Sequence, residues 1–114
     1  MHAQARITAL IADDEAPARK RLRDLLSAVT WVDVVGDTAD GPATIEAVDR
    51  LEPDLLFLDL QMPGCDGLEV VRRIAHQPAI VFTTAHNRYA VAAFELGAID
   101  YLLKPFGRER FALR

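Results

Sequence analysis

Apolar residues recur along this chain in two alternating ways, and that alternation restricts the available folds more than any other feature. Short continuous apolar runs stand at residues 7–12, 32–35, 55–58 and 79–82, and a fifth at 99–103 is broken only by Asp100. Such runs, without polar alternation, mark strands covered on both faces, as in parallel sheets. Stretches with helical spacing separate them. Ala18, Leu22, Leu25, Leu26 and Val29 form one stripe of a helix, and Pro17 sits near its start, where a missing N–H costs nothing. Asp40-Gly41-Pro42 reads as the cap and start of a second helix, with Ile45, Val48 and Leu51 inward and Pro53 as its stop. A third helix is expected over about 67–75, with Leu68, Val71 and Ile74 inward. A fourth, over about 87–96, ends at Gly97, suited to a left-handed C-cap. A fifth begins near Arg108 and stops with the sequence at Arg114, so it is read as truncated.

Five strand–helix repeats with short connections imply right-handed crossovers and a parallel sheet with helices on both faces. The expectation is an α/β, (βα)5 flavodoxin-like, doubly wound parallel sheet with strand order 2-1-3-4-5. A length of 114 residues suits one domain, 1–114. The longest apolar run, 89–94, is far short of the roughly twenty residues that cross a membrane. The N-terminus has no signal-peptide pattern, and a single cysteine, Cys65, makes no internal disulfide, so the cytoplasm is the expected location. Seventeen acidic against thirteen basic residues, a net charge of −4, argue against a basic nucleic-acid module. Arg19, Lys20, Arg21 and Arg23 read as the wet face of the first helix.

In an open α/β sheet the ligand crevice lies at the carboxyl ends of the strands where the order reverses, here the first and third. Asp13-Asp14-Glu15 follows the first run and Asp59 ends the third. At least three carboxylates therefore converge, and such a cluster recruits a proton or a cation. Oxygen-only ligands suit Mg²⁺. Each aspartate taken singly also fits a bland role, Asp13 or Asp14 as the cap of the first helix and Asp59 as the cap of a turn. The fourth run ends in Thr83-Thr84-Ala85, a hydroxyl source. The fifth ends in Lys104-Pro105, an ammonium suited to a single contact with a phosphoryl oxygen.

These pieces together, Asp13-Asp14, Asp59 with Gln61-Met62-Pro63-Gly64 and Asp66-Gly67, Thr84-Ala85, Tyr101 and Lys104-Pro105-Phe106, resemble the receiver domain of bacterial two-component response regulators. Asp-Asp-Glu-Ala-Pro-Ala-Arg and Phe-Thr-Thr-Ala-His further resemble the subgroup whose receivers precede a LytTR-type (LytR/AlgR-type) DNA-binding domain. The resemblance implies that Asp59 accepts a phosphoryl group from a sensor histidine kinase. It implies Mg²⁺ held by Asp14, Asp59 and the Gln61 backbone carbonyl, with Asp13 acting through water. Thr84 and Lys104 would contact the acyl phosphate, Tyr101 would switch with Thr84, and the Lys104–Pro105 peptide would be cis. A face built from the fourth helix, fifth strand and fifth helix, with Arg88, Val91 and Glu95 near it, would respond and favour a homodimer. DNA would be reached only through an output domain absent from this sequence, and the module would assist its own phosphorylation without being an enzyme. Gln61 and His86 would flank the path of hydrolytic water; His2, His76 and Cys65 carry no assigned role.

A stand-alone receiver acting as a phosphorelay shuttle or sink fits the same residues. A Mg²⁺-dependent aspartyl-phosphate phosphatase of the haloacid dehalogenase type needs a second aspartate two residues after the nucleophile, and that position holds Gln61. A flavin module needs hydroxyl and glycine donors after the first strand, where Asp13-Asp14-Glu15 would repel the cofactor phosphate.

Overall fold

The computed structural model describes residues 6–84 and the backbone of residues 100–103. Its elements run β1 (Ile7–Ala12), α1 (Ala16–Leu26), β2 (Val32–Thr38), α2 (Gly41–Leu51), β3 (Leu55–Asp59), α3 (Gly67–Arg73), β4 (Ala79–Thr84) and β5 (Asp100–Leu103). All strand pairs are parallel, in the order β2-β1-β3-β4-β5. The doubly wound sheet expected from the alternation is the fold observed. The helices expected at 87–96 and from Arg108 lie outside the described residues.

Strand periodicity divides the core into two layers. Leu10, Ala12, Leu56, Leu58, Ile80 and Phe82 project to the side covered by α2 and α3, where they meet Ala47, Val48 and Val70. Ala9, Ile11, Phe57 and Val81 project to the opposite side and meet Leu22 and Leu26 of α1. Both faces of the central strands are therefore dry, which is why their sequences are continuous and not alternating. Register between β1 and β3 is pinned at their amino ends. Asp54 Oδ2 accepts from the Thr8 amide (2.8 Å) and hydroxyl (3.2 Å), and the Asp54 amide donates to the Thr8 carbonyl at 3.0 Å.

Three local expectations need correction. β2 was expected over 32–35 and buried on both faces, but it extends to Thr38 and alternates between covered and open positions. It is the sheet edge, so its backbone goes on pairing with β1 after the apolar run has ended, and a bulge at Val35 shifts the register between Ala9 and Leu10. The apolar stripe of α1 reaches Val29, but the helix ends at Leu26 and Val29 packs from the following turn. α3 stops at Arg73 instead of near Ala75 because Asp49 Oδ1 of α2 takes the amides of Ala75 (2.9 Å) and His76 (3.1 Å) that would have continued it. The His76 ring completes this latch through Nε2 to the Pro53 carbonyl at 2.7 Å. The cap expected at Asp40 is present, with Oδ1 accepting from the Ala43 amide at 2.7 Å. Glu52 caps α2 in a left-handed conformation (φ 47°), its amide donating to the Val48 carbonyl at 2.9 Å, and Pro53 follows where the helix has ended.

Phe82 is fully buried between the sheet and α2–α3, whereas Val35 sits exposed at the bulge. Urea unfolding should therefore show Phe82→Ala losing about 3–5 kcal/mol, and Val35→Thr changing stability by no more than about 0.5 kcal/mol.

Candidate functional site

The register that pairs Ile11 with Phe57 and Ala12 with Leu58 makes Asp13 and Asp59 the next neighbours across the strand pair. Both continue the two-residue phase of the α1 face, through Ala9 and Ile11 on one strand and Leu55 and Phe57 on the other. Asp13 is fully buried and Asp59 nearly so, while Asp14 is exposed. One carboxylate oxygen from each of the three lies within 4.8 Å of the others. Two like unit charges at that distance repel by about 3–4 kcal/mol at an effective dielectric near 20.

Backbone contacts hold these acids in place. The Asp13 amide donates to the Thr38 carbonyl of β2 at 3.0 Å, and Asp13 Oδ1 accepts from the Glu15 amide at 2.9 Å. The alternative in which Asp13 or Asp14 caps α1 does not hold, because the residue at the cap is Glu15, with no side-chain bond. The bland role suggested for Asp59 is present alongside its place in the cluster: Oδ1 accepts from the Gln61 amide at 3.1 Å. The end of β3 is tied to β4 by the Leu60 amide on the Thr83 carbonyl (3.1 Å), and to α3 by the Gly67 amide on the Leu60 carbonyl (3.0 Å).

The loop between β3 and α3 owes its course to close backbone approaches. Gly64 has φ +86°, a conformation that side chains resist, and a Cβ there would also meet Pro42 Cδ at 2.5 Å. A Cβ on Gly41 would strike Cys65, so the start of α2 rests directly on this loop, and the Gly41 amide donates to the Pro63 carbonyl at 3.0 Å. The Pro63-Gly64 pair thus joins the Asp59 loop to α2. Cys65 is half-buried in that seam.

Thr84 ends β4 and is buried, one residue beyond Thr83, the register partner of Asp59. The buried Thr83 hydroxyl makes no hydrogen bond among the described residues. Tyr101 lies in β5 opposite Phe82, with only its backbone described. His86, Arg88, Val91, Glu95, Lys104 and Pro105 lie outside the described residues. One residue at the crevice escaped the sequence reading: Arg19, assigned to a wet helix face, donates through Nη1 to the Asp13 carbonyl at 2.8 Å. Its position five residues after Asp14 on a helix carries no periodicity signal that separates it from Lys20 or Arg21.

Three hard oxygen ligands, two of them buried and mutually repelling, fit a divalent cation such as Mg²⁺ and offer nothing to a softer metal. Residues 9–114 match the model of the response regulator receiver domain, and the chain belongs to that family. It is 49% identical over 106 residues to the transcriptional regulatory protein BtsR of Salmonella typhi, covering 91% of this chain and 44% of that protein. The chain thus spans less than half the length of the curated relatives it matches. Among solved structures, the response regulatory domain of MrkE from Klebsiella pneumoniae superposes with a TM-score of 0.84 at 35% identity, over 92% of this chain and 88% of that one. The isolated receiver domain of RcsB from Salmonella enterica serovar Typhimurium, with the phosphomimetic BeF3−, gives 0.84 at 26% identity over 95% and 84%.

A Cβ on Gly67 would lie 2.6 Å from the Asp59 carbonyl oxygen and 3.0 Å from Leu60 Cα, both backbone. Gly67→Ala should therefore push on the end of β3 and cost about 1–3 kcal/mol in urea unfolding. Gly36→Ala, whose Cβ meets only side-chain tips, Leu10 Cδ1 at 3.4 Å and Leu51 Cδ1 at 3.7 Å, should cost clearly less.

Proposed function

We propose that this chain is the phosphoacceptor module of a two-component regulator, in which Asp59 takes a phosphoryl group from the phosphohistidine of a sensor histidine kinase. The observation that carries this reading is the meeting of Asp13, Asp14 and Asp59 within 4.8 Å at the carboxyl ends of β1 and β3. Family membership supports the kinase as donor. In the transfer, an Asp59 oxygen bonds to phosphorus as the P–N bond of the phosphoimidazole breaks, and the electron pair stays on the ring nitrogen. The Gln61 amide on Oδ1 fixes the rotation of the Asp59 carboxylate, which is the positioning that phosphoryl transfer chiefly requires. Burial of Asp59 keeps bulk water from the reacting oxygen.

Asp14, Asp59 and the Gln61 carbonyl would hold Mg²⁺, with Asp13 acting through water. When bound, the ion supplies positive charge toward the phosphoryl oxygens. Lys104 would hold one of these oxygens and Thr84 would hydrogen-bond another. Tyr101 would follow Thr84 as the switch, beside a cis Lys104–Pro105 peptide. Conversion of a carboxylate to an acyl phosphate adds charge and acceptor oxygens, enough to bias a two-state element. That element would be the face of the fourth helix, β5 and the fifth helix, used for homodimerisation. In this reading the module is no enzyme, because Asp59 is itself modified and then regenerated by hydrolysis.

The relatives named as transcriptional regulators support a role in transcription control, exerted through a DNA-binding output domain of the LytTR type. No helix among the described residues is long and apolar enough to cross a membrane, which accords with work in the cytoplasm. The test is incubation with a small-molecule phosphodonor and Mg²⁺, read by intact mass. The expected result is a Mg²⁺-dependent gain of one phosphoryl group that Asp59→Asn abolishes. A gain that survives Asp59→Asn would contradict the assignment.

A further inference from the structure

Arg19 belongs to a basic stretch of α1, but its environment differs from that of its neighbours. Its side chain is 22% exposed, against 77% for Lys20. Nη1 donates to the Asp13 carbonyl at 2.8 Å, and Nε stands 3.7 Å from Asp37 Oδ1 at the end of β2. Asp37 is held in turn by Arg23, whose Nε donates to Oδ2 at 2.9 Å. One guanidinium thus joins α1, the sheet edge and the turn that carries the two adjacent acids.

We infer that Arg19 is a positioning residue for the cation site, acting through the peptide between Asp13 and Asp14. That peptide is planar, so fixing the Asp13 carbonyl also fixes where the Asp14 nitrogen and Cα lie. The two sides of the unit have other tethers: the Asp13 amide on Thr38, and the Glu15 amide on Asp13 Oδ1. Arg19 holds the peptide between them, and so sets the direction in which the exposed Asp14 carboxylate leaves the turn. The inference rests on reading the crevice as a divalent-cation site.

Charge and position predict opposite signs here. A cation beside an acidic crevice competes with a bound metal, so charge alone makes removal of Arg19 tighten metal binding or leave it unchanged. Loss of a group that orients a ligand weakens it, typically by tenfold or more.

The experiment titrates the chain with Mn²⁺, reads free ion by paramagnetic resonance, and confirms the site by displacement with Mg²⁺. Arg19→Met keeps the apolar stem and removes the donors, and its Kd should rise by about tenfold. Arg19→Lys, which retains a donor for the carbonyl, should recover most of the loss. Arg23→Met, which removes the other partner of Asp37 and leaves the Asp13 carbonyl bonded, should stay near wild type. Should Arg19→Met fail to fold by circular dichroism, Arg19→Ala, which also lacks a donor, takes its place with the same expectation. Unchanged or tighter binding in the folded Arg19 variant overturns the inference, as does an equal loss in Arg23→Met. A wild-type chain that binds no Mn²⁺ overturns the cation-site reading itself, which separates the two failures.

Discussion

Parallel pairing of β1 with β3, strands separated in sequence by α1, β2 and α2, carries Asp13 and Asp59 to the same level at the same end of the sheet. Without that register the two aspartates would be unrelated residues 46 positions apart, a separation equal to that of the pinning pair Thr8 and Asp54. The pairing is unfavourable at its carboxyl end, since two buried carboxylates repel there. It is held by the rest of the interface: backbone bonds along the strands, the Thr8–Asp54 latch at the amino end, and two apolar layers that compress the strands from opposite sides. Local cost at a functional end, offset by packing elsewhere, is the ordinary arrangement for a site that acts on charge.

The crevice is also framed by parts that meet the acidic residues and their loops through the backbone. Gly67 lets α3 begin against the backbone of Asp59, and Gly41 lets α2 begin against the loop that follows it. Both helix starts therefore rest on the loop that follows Asp59, Gly67 against its backbone and Gly41 against the backbone and thiol of Cys65. On the other side, Arg19 connects the acidic turn to α1 and to the edge strand through Asp37. The Asp59 loop thus contacts both α2 and α3, and lies opposite a turn braced by α1.

Much of this was legible in the sequence because strands buried on both faces leave unbroken apolar runs and because proline and glycine punctuate the helices. Ile7–Ala12 is a strand from first to last residue as the run predicts. The edge strand was underestimated because backbone pairing can outlast apolar character, as Asp37 and Thr38 show. The end of α3 was misplaced because Asp49, a residue from another helix, captures the amides at 75 and 76. Asp13, Asp14 and Asp59 were recognisable because strand ends at a switch point are where ligands bind. Arg19 was not, because its role depends on which way one long side chain folds back over a turn, and neither spacing nor composition encodes that.

The register of β1 and β3 brings Asp13, Asp14 and Asp59 into an arrangement that fits a divalent cation. The most direct measurement is a Mg²⁺ titration of the ¹⁵N-labelled chain followed by amide resonances. Saturable shifts concentrated at residues 13–15 and 59–61, strongly weakened in Asp14→Asn, are the expected result. Shifts spread over the exposed acids of α1 and α2 instead, or none at residues 59–61, would contradict it.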